Sequence, residues 1–142
     1  MTRPAEALEK LYEAYTAKEG GETFAKLMRE LLRENPDIWV LFEVYLDLRK
    51  RGRLPAPGPR PNSLLLRKSK KDPRFTKYIL VLEESRQINI EQLYSFVEEA
   101  RKNGWDPLLA IVDRYGDITY YSVAPFTPKP REEAASNGED KA

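Results

Sequence analysis

Two aspartates beside a glycine form the most regular group of chemically useful residues in this chain. Asp113 and Asp117 flank Tyr115 and Gly116, and Gly116 can take the positive φ that a tight turn requires. Aspartate and glycine favour turns for their local hydrogen bonds alone. The same two carboxylates could also bind paired arginine or lysine side chains of another protein with charge assistance. Both interpretations stay open on the residues themselves.

Two basic clusters, at 49–53 and 67–71, could contact phosphate groups. A cation that neutralises a phosphate adds a salt-dependent increment to binding, and the RNA-contact candidates in these clusters are Arg51, Arg53, Lys68, Lys70 and Lys71. A basic helix end and a solvated loop would explain the same residues. The net charge of +1 excludes attraction of nucleic acid by the chain as a whole.

The 142-residue chain contains neither histidine nor cysteine. Without cysteine it has no disulfides and no thiolate metal sites, and without histidine a zinc site is not expected. We therefore predict no metal and no cofactor. Charged residues make up 33% of the chain, a balance common in thermophile proteins. No apolar run is long enough to span a membrane, and no N-terminal signal region is visible, so we predict a cytoplasmic protein.

The elements that must position these residues change character along the chain. Apolar residues at helical spacing predict a helical N-terminal region over 1–53. Four prolines and a glycine predict a stiff connector over 54–62. We place a small α+β domain, nuclease-like, at 63–125, and a disordered tail at 126–142.

Over residues 63–125 the sequence pattern predicts the order strand, strand, helix, strand, strand. This order is typical of a small mixed sheet with one packed helix. The predicted strands are 64–66, 78–82, 108–112 and 118–123. Asn89 is the predicted N-cap of the helix, with Gln92 as its capping-box partner. The predicted buried face of this helix carries Ile90, Leu93, Tyr94, Val97 and Ala100. In the N-terminal region, Asn35 followed by Pro36 predicts the start of the third helix.

The last predicted strand is apolar on both faces. Ile118 and Tyr120 lie on one face, and Tyr121 and Val123 lie on the other. An exposed edge strand of this kind promotes aggregation unless something covers it. A helix and the tail could cover it.

The hairpin resembles the C-terminal signature of the tRNA-splicing endonuclease family, also called tRNA-intron endonucleases. That signature runs as an apolar strand, Val-Asp, a Gly-Asp turn and a Thr-Tyr-Tyr strand, matched here at 108–121. The strand at 78–83 and the helix after it are similar as well. The resemblance covers about residues 40–125 and implies an endonuclease-like core. It also implies that the turn docks into a basic pocket on a subunit of the opposite dimer, and that the last strand pairs with a partner.

The resemblance further implies metal-independent RNA cleavage by a tyrosine, a histidine and a lysine. The tyrosine is expected at 58–62, where none occurs. Phe75 is the residue nearest to the histidine position, and Trp105, Asp106 and Pro107 fill the lysine position. All three roles are therefore vacant, although Tyr78, Lys77 and Lys102 lie near enough in sequence to be considered for a relocated site.

These observations predict a non-catalytic, structural subunit of a heteromeric archaeal tRNA-splicing endonuclease. The expected assembly contains two copies of this chain and two catalytic subunits, and its substrate is precursor tRNA. Two alternatives stay open. One is a catalytic endonuclease with a displaced active site, and the other is a stand-alone RNA-binding or scaffold protein on a nuclease-like fold.

Overall fold

The structure, a computed structural model, describes residues 4–123, with side chains from residue 6 onward. The helices are α1 (Pro4–Thr16), α2 (Gly21–Glu34), α3 (Ile38–Lys50) and α4 (Ile90–Lys102). The strands are β1 (Pro55–Pro57), β2 (Ser63–Arg67), β3 (Phe75–Glu83), β4 (Asp106–Val112) and β5 (Ile118–Ser122). No helix within the described range is long and apolar enough to cross a lipid bilayer. The predicted tail at 126–142 lies outside the described residues.

The five strands form one mixed sheet whose spatial order is the chain order, β1-β2-β3-β4-β5. Neighbouring strands are antiparallel except β3 and β4, which are parallel and are joined through α4. A parallel pair needs such a crossover to return the chain to the starting end. Lys77 pairs with Asp106 near the start of both strands, and Glu83 pairs with Val112 at the end of both strands. The predicted α+β class, with a helical N-terminal region and a mixed sheet, is confirmed.

Helices cover both faces of the sheet. On one face α1, α2 and α3 form a core that includes Val44 from α3 together with Leu64 and Ile79 from the strands. On the other face, the buried Phe96 of α4 packs with Tyr78 and other strand residues. The helical region and the sheet thus share one core, and the division of the chain into domains at the connector stays a prediction.

Several boundaries differ from the sequence prediction, and β3 and β4 begin earlier than predicted, at Phe75 and Asp106. The Pro-rich connector contains an additional edge strand, β1, because Pro55 and Pro57 pair with Leu66 and Leu64 at a sheet edge, where a missing N–H is tolerated. The third helix begins at Ile38 rather than at Pro36. The Asn35 side chain instead accepts a hydrogen bond from the backbone N–H of Asp37 at 3.0 Å and closes a turn before the helix.

The predicted N-cap of α4 is confirmed, but its predicted buried face is partly wrong. The Asn89 side chain accepts a hydrogen bond from the backbone N–H of Gln92 at 2.8 Å. Ile90 and Tyr94 are 76% and 66% exposed, whereas Phe96 is fully buried. The helix is therefore rotated relative to the prediction, because Phe96 fills the space next to Tyr78, with 4.5 Å between ring centroids.

Candidate functional site

A groove lined by cations opens at the end of the sheet where β3 and β4 begin. We call it the basic groove, and it has a volume of about 970 Å³. Its cationic side chains are Arg53, Arg67, Lys68, Lys70, Arg74 and Lys77. No carboxylate side chain is among its described lining residues. The groove is therefore a concentrated positive surface on a chain whose net charge is only +1.

Strand pairing brings the two basic clusters of the sequence into this groove. β1 and β2 are antiparallel, so the residues before β1 lie beside the end of β2, and the Arg53 guanidinium donates to the Arg67 carbonyl at 3.1 Å. The β2–β3 loop is closed by a hydrogen bond from the Lys68 N–H to the Arg74 carbonyl at 3.0 Å. The groove is thus built by the chain reversal at β2, since its cations come from distant sequence positions.

Asp72 stabilises the conformation of the β2–β3 loop, although it does not itself line the groove. Its carboxylate accepts hydrogen bonds from Arg74 Nε at 3.1 Å and Arg74 Nη2 at 2.7 Å. These side-chain hydrogen bonds, helped by one from the Arg74 backbone N–H, lower the pKa of Asp72 to about 2. The Asp72 N–H in turn donates to the Ser69 hydroxyl at 3.1 Å. Arg74 is thus engaged by Asp72, and the loop presents its remaining cations to solvent.

The other cations of the groove differ in their internal partners. Lys77 Nζ lies 3.9 Å from an oxygen of Asp106, which is a loose ion pair. Arg67, Lys68 and Lys70 form none of the side-chain ion pairs found among the described residues. Arg67 and Lys70 are therefore available to an external anion without breaking an ion pair, and Lys68 is available as well, although its charge also helps to lower the pKa of Asp72.

Three of the five predicted RNA-contact residues line the groove, namely Arg53, Lys68 and Lys70, and the other two do not. Arg51 instead pairs with Asp47 at 2.9 Å, and its guanidinium lies 5.8 Å from the ring centroid of Tyr120. Lys71 is exposed but outside the groove lining.

Arg67, Arg74 and Lys77 also line the groove, although they were not among the predicted RNA contacts. Arg67 could have been found in the second basic cluster. Arg74 and Lys77 are isolated cations on the far side of the loop, and only the pairing of β2 with β3 brings them to the groove.

The predicted acidic turn connects β4 to β5 at the opposite end of β4. Gly116 has a φ of +86°, as the sequence predicts. Asp113 Oδ1 accepts hydrogen bonds from the N–H groups of Tyr115 at 2.8 Å and Asp117 at 2.9 Å. The side chain of Asp117 is exposed and bonds to no residue within 4–123. Asp113 therefore shapes the turn, and Asp117 presents its charge outward.

A third carboxylate lies near this turn. Oxygen Oε2 of Glu43, on α3, would be 3.8 Å from a Cβ added at Gly116. Burial raises the pKa of Glu43, and the nearby Lys50 opposes that rise. Glu43 thus adds a carboxylate beside the two aspartates of the turn, whose exposed Arg114 carries the opposite charge.

β5 lies at the edge of the sheet, with no further strand beside it among the described residues. Ile118 and Tyr120 pack on the three-helix core, and the Tyr120 hydroxyl donates to Asp47 at 2.7 Å. Burial and this hydrogen bond raise the pKa of Tyr120. Val123 packs on the α4 side, whereas Tyr121 is 52% exposed. The outward features of β5 are therefore its unpaired main chain and the Tyr121 ring.

The positions at which the resemblance expects the tyrosine, histidine and lysine hold none of these three residue types, and Asp106, at the lysine position, is 78% exposed. Phe75 is the first residue of β3 and lines the basic groove. Trp105 packs edge-on against Tyr78, with 5.2 Å between ring centroids. Within 58–62, Arg60 donates to Glu99 at 3.0 Å. Aromatic packing and an ion pair thus occupy these places.

Tyr78 is sealed inside the protein rather than placed in a cleft. Its side chain is fully buried, and its hydroxyl donates to Glu99 Oε1 at 2.7 Å. Burial and this hydrogen bond raise the pKa of Tyr78 to about 12. Burial would also raise the pKa of Glu99, but hydrogen bonds from Tyr78 and Arg60 hold it below its ordinary value. A buried phenol of this kind is a poor general base at neutral pH.

Comparison with known families agrees with this architecture. The sequence model of the tRNA intron endonuclease catalytic C-terminal domain matches residues 38–120. No curated protein matches the chain. The family match begins at α3 and ends within β5, so it includes β1 to β4, α4, the acidic turn and the first part of β5. Since the match spans more than half of the chain, this protein belongs to the tRNA intron endonuclease family.

Proposed function

We propose that this chain is the non-catalytic, structural subunit of an archaeal tRNA-splicing endonuclease, which removes introns from precursor tRNA. The observation that carries the proposal is the complete absence of histidine from a member of this family. Histidine is the usual acid–base residue near neutral pH. A subunit without it needs a catalytic partner that supplies the chemistry.

The arrangement of the remaining candidate groups supports a structural role. Tyr78 is buried and bonded to Glu99, so it would have to leave the core before it could accept a proton from RNA. Lys77 lies at the basic groove beside Asp106, 3.9 Å away, and the chain has no histidine to complete an acid–base set there. A displaced active site therefore has little support among the described residues.

The features that suit assembly lie at the other end of the sheet. The acidic turn is held by internal hydrogen bonds and presents Asp117 outward, which suits a basic pocket on another subunit. The open edge of β5 suits main-chain pairing with a partner strand. We propose a complex of two copies of this chain and two catalytic subunits, acting in the cytoplasm without metal.

The proposal is tested with the purified chain and with a family member that has the tyrosine, histidine and lysine. The chain alone should not cleave a bulged precursor tRNA, and divalent metal ions should not help. The mixture should cleave it, and light scattering should report a complex of two copies of each chain. Product with a 2′,3′-cyclic phosphate from the rigorously pure chain would contradict the proposal. Failure to associate with any catalytic member of the family would favour a stand-alone RNA-binding protein.

A further inference from the structure

We infer that the basic groove binds a single-stranded stretch of RNA through its phosphates, with one base stacked on Phe75. This inference rests on the proposed function, because precursor tRNA is the RNA that the complex would meet. It extends that function by giving the non-catalytic chain its own contact with the substrate. The groove becomes a substrate-positioning site rather than a remnant of a lost active site.

The charge distribution points to a polyanion. Six cations line one groove without a carboxylate among its described lining residues. Three of them, Arg67, Lys68 and Lys70, have no ion-pair partner within the described part of the chain. Cations that already have a carboxylate partner gain little from a second anion, whereas unpaired cations gain a full contact with each phosphate and release counterions.

The aromatic ring in the groove favours nucleic acid over an acidic peptide. Phe75 packs partly on the α4-side core and also lines the groove, so its ring is held in place. Proteins that bind single strands combine a positive groove with such rings, because every base has a face that can stack. An acidic peptide would use the cations but would gain little from a fixed ring.

The groove can bind RNA without cutting it. Its polar side chains are arginine, lysine, serine, threonine and asparagine, and none is a carboxylate or an imidazole. Lysine and arginine stabilise phosphate charge, but proton transfer to and from the ribose and the leaving oxygen needs groups that titrate nearer neutral pH. Binding and cleavage are therefore separated between the two kinds of subunit.

The first experiment measures binding of the full chain to a short fluorescent oligouridylate by anisotropy at a series of salt concentrations. The test variant is Arg67→Ala/Lys68→Ala/Lys70→Ala. The matched control is Lys10→Ala/Lys18→Ala/Lys26→Ala, which removes the same charge from exposed positions on the helices and the turn between them. The test variant should lose at least about ten-fold in affinity, and its salt slope should fall by about 2. The control should keep both.

A second variant isolates the ring. Phe75→Leu keeps an apolar side chain and should lose affinity by about five-fold or more, whereas Phe75→Tyr should retain it. Thermal unfolding is measured for every variant. If Arg67→Ala disturbs β2, the loop variant Lys68→Ala/Lys70→Ala replaces the triple variant and should show a smaller loss in the same direction.

Assembly with the catalytic subunit separates this inference from the proposed function. The triple variant should form the full complex, with RNA affinity reduced. Equal RNA affinity in the triple variant and the wild type would overturn the inference and leave the proposed function intact. Loss of assembly in the triple variant would also overturn it, because the groove would then dock an acidic segment of another subunit. Failure of the wild-type chain to assemble would instead contradict the proposed function.

Discussion

The basic groove and the acidic turn lie at opposite ends of β4, about 20 Å apart along the strand. At the groove end, Arg67, Lys68 and Lys70 are unpaired among the described residues. At the turn end, Asp113 is bonded to the backbone and Tyr120 is bonded to α3. One end thus offers long, adaptable cations, and the other offers a fixed turn that presents the carboxylate of Asp117.

This difference separates two kinds of recognition. A phosphate backbone varies in conformation and is matched by long side chains that can follow it. A specific protein pocket favours a rigid loop, because a preorganised loop has little conformational entropy to lose on docking. The comparison therefore assigns substrate contact to the groove end and subunit contact to the turn end, and the following substitutions test that assignment.

The largest effect is expected from removing the charge of the acidic turn. Asp113→Asn/Asp117→Asn keeps an acceptor oxygen for the turn hydrogen bonds but removes both charges. Loss of one side of a buried interfacial charge pair costs about 2–5 kcal/mol, or some 30-fold to several thousand-fold in affinity. The heterodimer should remain, two heterodimers should no longer join, and light scattering should report half the mass.

The matched control for the acidic turn is Glu22→Gln/Glu30→Gln, which removes two exposed carboxylates from α2. It should assemble normally. RNA binding at the groove should be unchanged in both double variants, since neither touches that end. A full-size, active complex from the turn variant would show that the two aspartates only form the turn.

The next largest effect is a difference in unfolding free energy between variants of two adjacent tyrosines of β5, Tyr120 and Tyr121. Tyr120→Phe removes the hydroxyl that donates to Asp47 and should lower the free energy of unfolding by about 1–2 kcal/mol. Tyr121→Phe should change it by less than about 0.5 kcal/mol, because Tyr121 is exposed. Urea denaturation measures both variants. Equal losses would mean that the turn end is not held to α3 through Tyr120.

A smaller effect concerns the conformation of the turn. Gly116 has a φ of +86°, so Gly116→Ala should cost about 1 kcal/mol of stability in the isolated chain. Gly116→Asn should cost less, because asparagine tolerates this region. Both should weaken assembly more than RNA binding, as measured by light scattering and anisotropy. A greater loss of RNA binding would contradict the division of roles between the two ends.

The smallest effect is a change in acid stability at the groove end. The pKa of Asp72 is about 2 in the folded chain and near 3.8 when unfolded. The contribution of Asp72 to the free energy of unfolding is therefore complete above pH 3.8 and is lost as the pH falls towards 2. Asp72→Asn should remove that part of the pH dependence of thermal unfolding, and Arg74→Gln should do the same. An unchanged acid profile would show that the loop does not depend on this pair.

Much of the fold could be predicted because local rules determine it. Gly116 needs a positive φ, Asn89 caps α4, and the apolar residues of β3 and β4 are typical of strands covered on both faces. β1 could not be predicted, since Pro55 and Pro57 suggest a break unless the strand lies at an edge. The rotation of α4 could not be predicted either, because the packing of Phe96 against Tyr78 is a tertiary contact that the local sequence does not specify.

The candidate site also contains residues that could be predicted from the sequence and residues that could not. The acidic turn is local in sequence, so its residues and its glycine could be named in advance. The basic groove depends on β2 reversing the chain and bringing Arg53 next to Arg67. Arg51 was chosen for its charge alone, and only the structure reveals that Asp47 and Tyr120 engage it.

The order of the strands has a consequence for how the chain folds. Because spatial order equals chain order, three of the four strand pairs join strands connected by short loops, whereas the parallel β3–β4 pair closes over α4. Antiparallel pairs that close over short loops lose little loop-closure entropy and can form early. The hydrogen bond from Tyr120 to Asp47 spans 73 residues and links β5 to α3. Docking of β5 onto α3 should therefore come late in folding, and α3 is synthesised long before its final partner emerges.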